Sequence, residues 1–187
     1  MLNLIVSSQS IDQQPSELIA VGFFEDECPP RSNAGLIDER MGGIVSQRMT
    51  QGFVTGRLGE KTLIPANGRV RADKILFIGL GQTKTFCYGR IRDLTEHLVG
   101  TCLGLQVSAL AIALPDLQEF GLEWDKLVES MVEGIGLGLE ATEPAHELRL
   151  RLPGALDHHD QIIKGVETAS RILKNPVPVR VSLEPSS

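Results

Sequence analysis

The chain has 187 residues, 42% hydrophobic and 22% charged, with a formal net charge of −6. That length is one domain, large enough to bury an apolar core without disulfides or metal. Its apolar runs are too short to span a bilayer, and 4% aromatic residues argue against a base-stacking platform for single-stranded nucleic acid.

The opening residues 2–6 read as a strand, with neither the basic stretch nor the cleavage site of a leader. A polar turn at residues 12–15 leads to a second strand at 17–24, after which Cys28-Pro29-Pro30 interrupts the chain. Ser32 or Asn33 is placed to cap a helix running to about Met49. Gly42-Gly43 falls inside it, at a cost of about 1 kcal/mol per glycine. Either the helix breaks there or the glycines permit close packing. Strands at 61–65 and 73–79 follow, joined through Asn67-Gly68, and the second is apolar enough to be covered on both faces. Helices at 89–105 and 122–139 flank a strand at 107–114. Residues 147–152 alternate, sending Leu148, Leu150 and Leu152 to one face and Arg149 and Arg151 to the other. A helix at 157–173 and a strand at 177–183 close the pattern. This alternation predicts an α/β fold, a mixed, mostly parallel sheet with helices on both faces. The reading places residues 1–155 in the main domain and 156–187 as a helix and strand packed on it.

Charge is unevenly spread. Segment 40–92 holds ten Lys/Arg against Glu60 and Asp73, while segment 116–147 holds nine acids and one lysine. Such polarity suits an anion-binding face, with Arg57, Lys61, Arg69, Arg71 and Lys84 as its candidates, or simply two solvated faces of opposite sign.

Gly79-Leu80-Gly81-Gln82 follows an apolar strand, where backbone N–H groups can hold a phosphate. The nucleotide fingerprint needs a third glycine and an immediate helix, so a closely packed turn is the structural alternative. Asn33 with Gly42 and Gly43 could surround a sugar or phosphate, or serve capping and packing. Asp157-His158-His159-Asp160 has the residue types of a metal set. Consecutive helical residues point about 100° apart, so the two histidines do not converge; Asp157 is better placed as an N-cap and Asp160 in the first turn. His97 and His146 have no partner within sequence reach. Cys28, Cys87 and Cys102 lack metal-type spacing, fit a reducing cytoplasm and read as small core residues.

Three blocks occur in order: Asp38 with Gly42-Gly43; Gly52-Phe53, Gly56-Arg57 and Gly59-Glu60; and Lys74-Ile75-Leu76-Phe77-Ile78-Gly79-Leu80-Gly81. Together they resemble the N-terminal domain of the leucyl aminopeptidases, the M17 metallopeptidases. Val132-Glu133-Gly134-Ile135 continues the likeness, as does Arg171-Ile172-Leu173-Lys174-Asn175-Pro176. The resemblance implies a macro-domain-like fold. The family's two-metal site belongs to its catalytic domain, whose motifs do not occur in these residues, so no catalytic residue, metal ligand or cofactor is carried over.

The expectation is a stand-alone, non-catalytic, cytoplasmic relative of that domain, acting as an interaction or regulatory module with a protein partner or as a homo-oligomer. One alternative is a nucleotide or ADP-ribose binding module using Asn33, Gly42, Gly43, Gly79 and Gly81. Another is duplex DNA binding through the basic segment. A fragment of a longer aminopeptidase is the last, against which the polar ending 184–187 reads as a terminus.

Overall fold

The computed structural model describes residues 1–115, 120–140, 147–172 and 178–184. Its strands in chain order are β1 (Leu2–Ser7), β2 (Ser16–Phe23), β3 (Lys61–Pro65), β4 (Ala72–Gly79), β5 (Ala109–Ala113), β6 (Leu148–Pro153) and β7 (Val179–Glu184). They form one sheet in the order β3-β4-β2-β5-β6-β1-β7. Only β3 runs antiparallel to its neighbour. The predicted mixed, mostly parallel sheet is therefore present, and the Asn67-Gly68 turn behaves as read, with both residues at positive φ.

Helices are α1 (Ser32–Arg40), α2 (Ile44–Thr50), α3 (Tyr88–Gly104), α4 (Trp124–Glu140) and α5 (His159–Ile172). No described helix is long and apolar enough to cross a membrane. The two glycines split the first predicted helix. Gly42 and Gly43 sit at φ +79° and +73°, left-handed values that side chains resist and glycine takes freely. The following helix is capped from a distance. Asp38 accepts from Val45 N at 2.7 Å and Ser46 N at 3.1 Å, satisfying two first-turn donors.

Alternation along the strands builds two cores. Leu4, Leu18, Leu76, Leu110 and Leu150 face α3, α4 and α5 and pack on residues such as Leu98, Leu127 and Ile162. Ile19, Phe23, Ile75 and Phe77 face the other way, onto Ile37 and Val45 of the first two helices. Among the described residues, helices cover the second face only over β4, β2 and β5. Over β6, β1 and β7 the corresponding positions are Arg149 and Arg151, as the predicted Leu/Arg alternation requires, then Asn3, Ile5 and the buried Ser7, and Arg180 and Ser182. There Arg151 pairs with Glu184, and Asn3 Nδ2 donates to Glu147 Oε1 at 2.7 Å.

No helix joins β1 to β2. Residues 8–15 span β6 and β5 with one 3-10 turn, Ile11–Gln13. Ile11 is fully buried in the second core. Asp12 meets Arg40 at 3.1 Å and accepts the Arg71 N–H on its backbone oxygen at 3.2 Å. Burial alone would raise the Asp12 carboxyl, but hydrogen bonds from Ser10 and Gln13 and the Arg40 charge hold it below its ordinary value.

Three local expectations are corrected. Neither Ser32 nor Asn33 caps α1, whose N-cap position is Arg31 without a side-chain bond; Asn33 Nδ2 reaches instead to Leu114 O at 3.2 Å. Asp157 does not cap α5, because a 3-10 turn, Leu156–His158, precedes that helix. Of the cysteines only Cys102 is buried, while Cys28 and Cys87 are exposed. Burial pushes the Cys102 thiol up to about 12, so it stays a neutral core residue. His146, the 173–176 part of the last family-like run and the ending 185–187 lie outside the described residues.

Candidate functional site

The carboxyl ends of β1, β6 and β5 lie side by side in parallel register. A cleft of about 540 Å³ opens over them. In open parallel sheets this edge is where ligands sit, because loops of independent sequence converge there on exposed strand ends. Ser8 and Ser10 come from the segment after β1, Leu114 and Pro115 from the segment after β5, Pro153 from the end of β6, and Gly154 and His158 from the segment after it. Asn33 of α1 and Trp124 of α4 complete the walls.

The far wall is a ring pair. Trp124 and His158 stack with centroids 4.8 Å apart and planes 18° from parallel. The start of α4 that carries Trp124 is fixed by ordinary bonds. Glu123 N donates to the Tyr88 hydroxyl at 2.8 Å. Asp125 accepts from Lys126 N at 2.9 Å and from Lys164 Nζ of α5 at 2.5 Å. The Lys164 hydrogen bond holds the Asp125 carboxyl below its usual range. His159, beside His158 in sequence, turns elsewhere, with Nδ1 at 3.5 Å from Asp160. The adjacent histidines thus have separate surroundings, His158 closing the 3-10 turn and His159 opening α5.

Of the five residues predicted around a ligand, Asn33 alone lines this cleft. Gly42 and Gly43 lie past the far end of α1, about 13 Å away at 1.5 Å per residue, where a Cβ on Gly42 would meet Arg69 Nη1 at 3.1 Å. Gly79 is a packing residue, since a Cβ there would stand 2.0 Å from Arg57 O. The segment around it is laced by backbone bonds: Gly79 N to Glu60 O at 2.8 Å, Gly59 N to Gly79 O at 2.9 Å, and Gly81 N to Gly56 O at 3.0 Å. The Gly56, Gly59, Gly79 and Gly81 members of the family-like blocks are thereby explained as a loop zipped onto the end of β4. Glu60 closes the same loop by accepting from Thr55 and Arg57 N–H groups.

The basic candidates do not form one stripe. Arg69 and Arg71 precede β4, while Arg57, Lys61 and Lys84 cluster near its far end. The eight residues of β4 put roughly 25 Å between the two groups. The sequence reading missed Ser8, Ser10, Trp124 and Gly154, and weighed His158 only as a metal ligand. Their one sequence signal is position, each following a strand or opening a helix.

This arrangement, a mixed seven-stranded sheet with helices on both faces and a cleft on its carboxyl edge, defines a macrodomain-like α/β protein. A macrodomain from Trypanosoma brucei, solved in complex with ADP-ribose, matches with a TM-score of 0.69 at 13% identity, over 87% of this chain and 68% of its own. The chain belongs to the cytosol aminopeptidase family through its N-terminal domain, whose family model matches residues 20–142. A tomato leucine aminopeptidase variant matches with a TM-score of 0.67 at 16% identity, over 90% of this chain and 36% of its own. The cytosol aminopeptidase of Pseudomonas aeruginosa is 26% identical over 108 residues, 58% of this chain. The chain covers 22% of that relative's length.

Proposed function

We propose that this chain acts as a non-catalytic interaction or regulatory module, and that its ligand is of the nucleoside-diphosphate-sugar class, with ADP-ribose as the reference compound. The carrying observation is the cleft over the carboxyl ends of β1, β6 and β5. Its described lining offers three hydroxyls, from Ser8, Ser10 and Ser32, an amide, main-chain groups at Gly154 and a stacked ring pair. These groups bind, orient and stack. The volume lies within the roughly 300–1,000 Å³ of small-molecule sites. The likeness to a macrodomain solved with ADP-ribose supports the ligand class. The family membership supports the non-catalytic part, because the matched region is the N-terminal domain. The charged, uncovered face of β6, β1 and β7 supports a protein partner or a second copy as the recipient of the signal.

Calorimetric titration with ADP-ribose tests the reading. Saturable binding that Trp124→Ala weakens is the expected result, and no heat at millimolar ligand overturns the ligand class. Incubation of pure protein with leucyl p-nitroanilide and Mn²⁺ or Zn²⁺ tests the other half. No release of nitroaniline is expected, and steady turnover overturns the non-catalytic assignment. Light scattering with and without ADP-ribose reads the self-association.

A further inference from the structure

A second concavity, of about 320 Å³, lies between residues 58–61 and α3. Leu58, Ile78 and Leu94 give it an apolar floor. Its rim carries Lys61, Arg90 and His97 and a single carboxylate, Asp93. That carboxylate is already engaged, accepting from Arg92 Nη2 at 3.0 Å.

Lys61 and Arg90 have no ion-pair partner among the described residues. Each is held by a neutral oxygen instead. Lys61 Nζ donates to Thr101 Oγ1 at 2.7 Å, and Arg90 Nη1 donates to Leu80 O at 3.3 Å. The second placement depends on Gly81, where a Cβ would come within 2.9 Å of Arg90 Nη1. His97 Nδ1 lies 2.6 Å from Asp93 O. A carbonyl only accepts, so Nδ1 carries a proton there and Nε2 is the nitrogen left for another partner.

We propose that this concavity is a second ligand site, specific for a small organic anion with one carboxylate or sulfonate head and an apolar body. Two cations without counter-charges, poised on neutral oxygens, supply charge-assisted hydrogen bonds to such a head. The apolar floor takes the body, in the usual division of a small-molecule pocket. The ligand chemistry differs from that of the carboxyl-edge cleft, whose described lining has no Lys or Arg. The two sites stand or fall separately.

The test is an NMR titration of the full ¹⁵N-labelled chain with sodium hexanoate, with 1-hexanol and hexylammonium chloride as probes of the same body. Saturable shifts at Gly59, Leu94 and His97 are expected with hexanoate. Hexanol should bind about tenfold more weakly and hexylammonium not at all. Lys61→Met and Arg90→Met should each weaken hexanoate by about tenfold, with circular dichroism unchanged. Lys61 is exposed on an edge strand, so that variant and the hexanol comparison decide the matter even if Arg90→Met fails to fold. Absence of saturable shifts, equal affinity for hexanol, or unaltered hexanoate affinity in a folded Lys61→Met chain would overturn the proposal.

Discussion

Along β4 the five residues from Ile75 to Gly79 are all buried, whereas along β6 burial alternates residue by residue. Both strands belong to one sheet. The contrast extends to their neighbours. β4, β2 and β5 are sealed by α3 and α4 on one face and by α1, α2 and Ile11 on the other, while β6, β1 and β7 turn arginines, an asparagine and serines toward the second face, with Ile5 the apolar exception. A strand between two helical layers must be apolar throughout; a strand with one open face can carry charge at every second position. The molecule thus spends its apolar residues where packing is closest and leaves half of one face chemically addressable.

Substitutions can break or sharpen that contrast. The largest effect belongs to Phe77→Ala in the sealed half. Phe77 is fully buried and meets Phe23 edge-on at 6.2 Å. Its loss should cost about 3–5 kcal/mol in urea unfolding, and a cost under 1 kcal/mol would show that this half is loosely packed.

Gly79→Ala comes next. The new methyl would sit 2.0 Å from Arg57 O, a backbone atom that moves only with its loop. A loss of about 3 kcal/mol is expected, read from the same unfolding curves.

Glu17 tests how the sealed half is fastened at its other end. Its carboxylate accepts from Ser108 N at 2.6 Å and Ala109 N at 3.1 Å, tying the start of β2 to that of β5. The Ser108 N–H bond leads in holding the carboxyl below its ordinary value. The folded state therefore favours the ionised form. Its contribution is present above the unfolded carboxyl pKa of about 4.3 and is lost as pH falls through the lower folded value. Glu17→Gln should cost roughly 1 kcal/mol at pH 7 and shrink the loss of stability on acidification. Urea midpoints at pH 7 and pH 3 measure both; an unchanged acid limb would remove Glu17 from this role.

The smallest effect belongs to the open half. Arg180 is exposed on β7, and Arg180→Ala should change stability by less than about 0.5 kcal/mol. A cost above 1 kcal/mol would mean that this face is covered after all, and would erase the contrast.

The alternation of elements was legible in the sequence because each period is local. Leu148, Leu150 and Leu152 against Arg149 and Arg151 announced a one-sided strand, and Gly42-Gly43 announced either a break in a helix or a close contact, of which the break is found. The carboxyl-edge cleft was legible only at Asn33. Its walls come from the ends of three strands and two helices, and no periodicity links Ser8, Trp124 and His158. The glycines drew attention as a phosphate cradle because glycine marks close approach. What approaches Gly79 is the protein's own backbone, which a single sequence cannot distinguish from a ligand.

The short segment between β1 and β2 has a consequence in time. β1 leaves the ribosome before the other strands of this sheet, yet it lands between β6 and β7, which begin at Leu148 and Val179. The hairpin of β3 and β4 and the pairing of β4 with β2 need only the first half of the chain. During synthesis Leu2, Leu4 and Val6 must wait without sheet neighbours while that half assembles. β6 and β7 enclose β1, so closure of the sheet joins residues far apart in sequence.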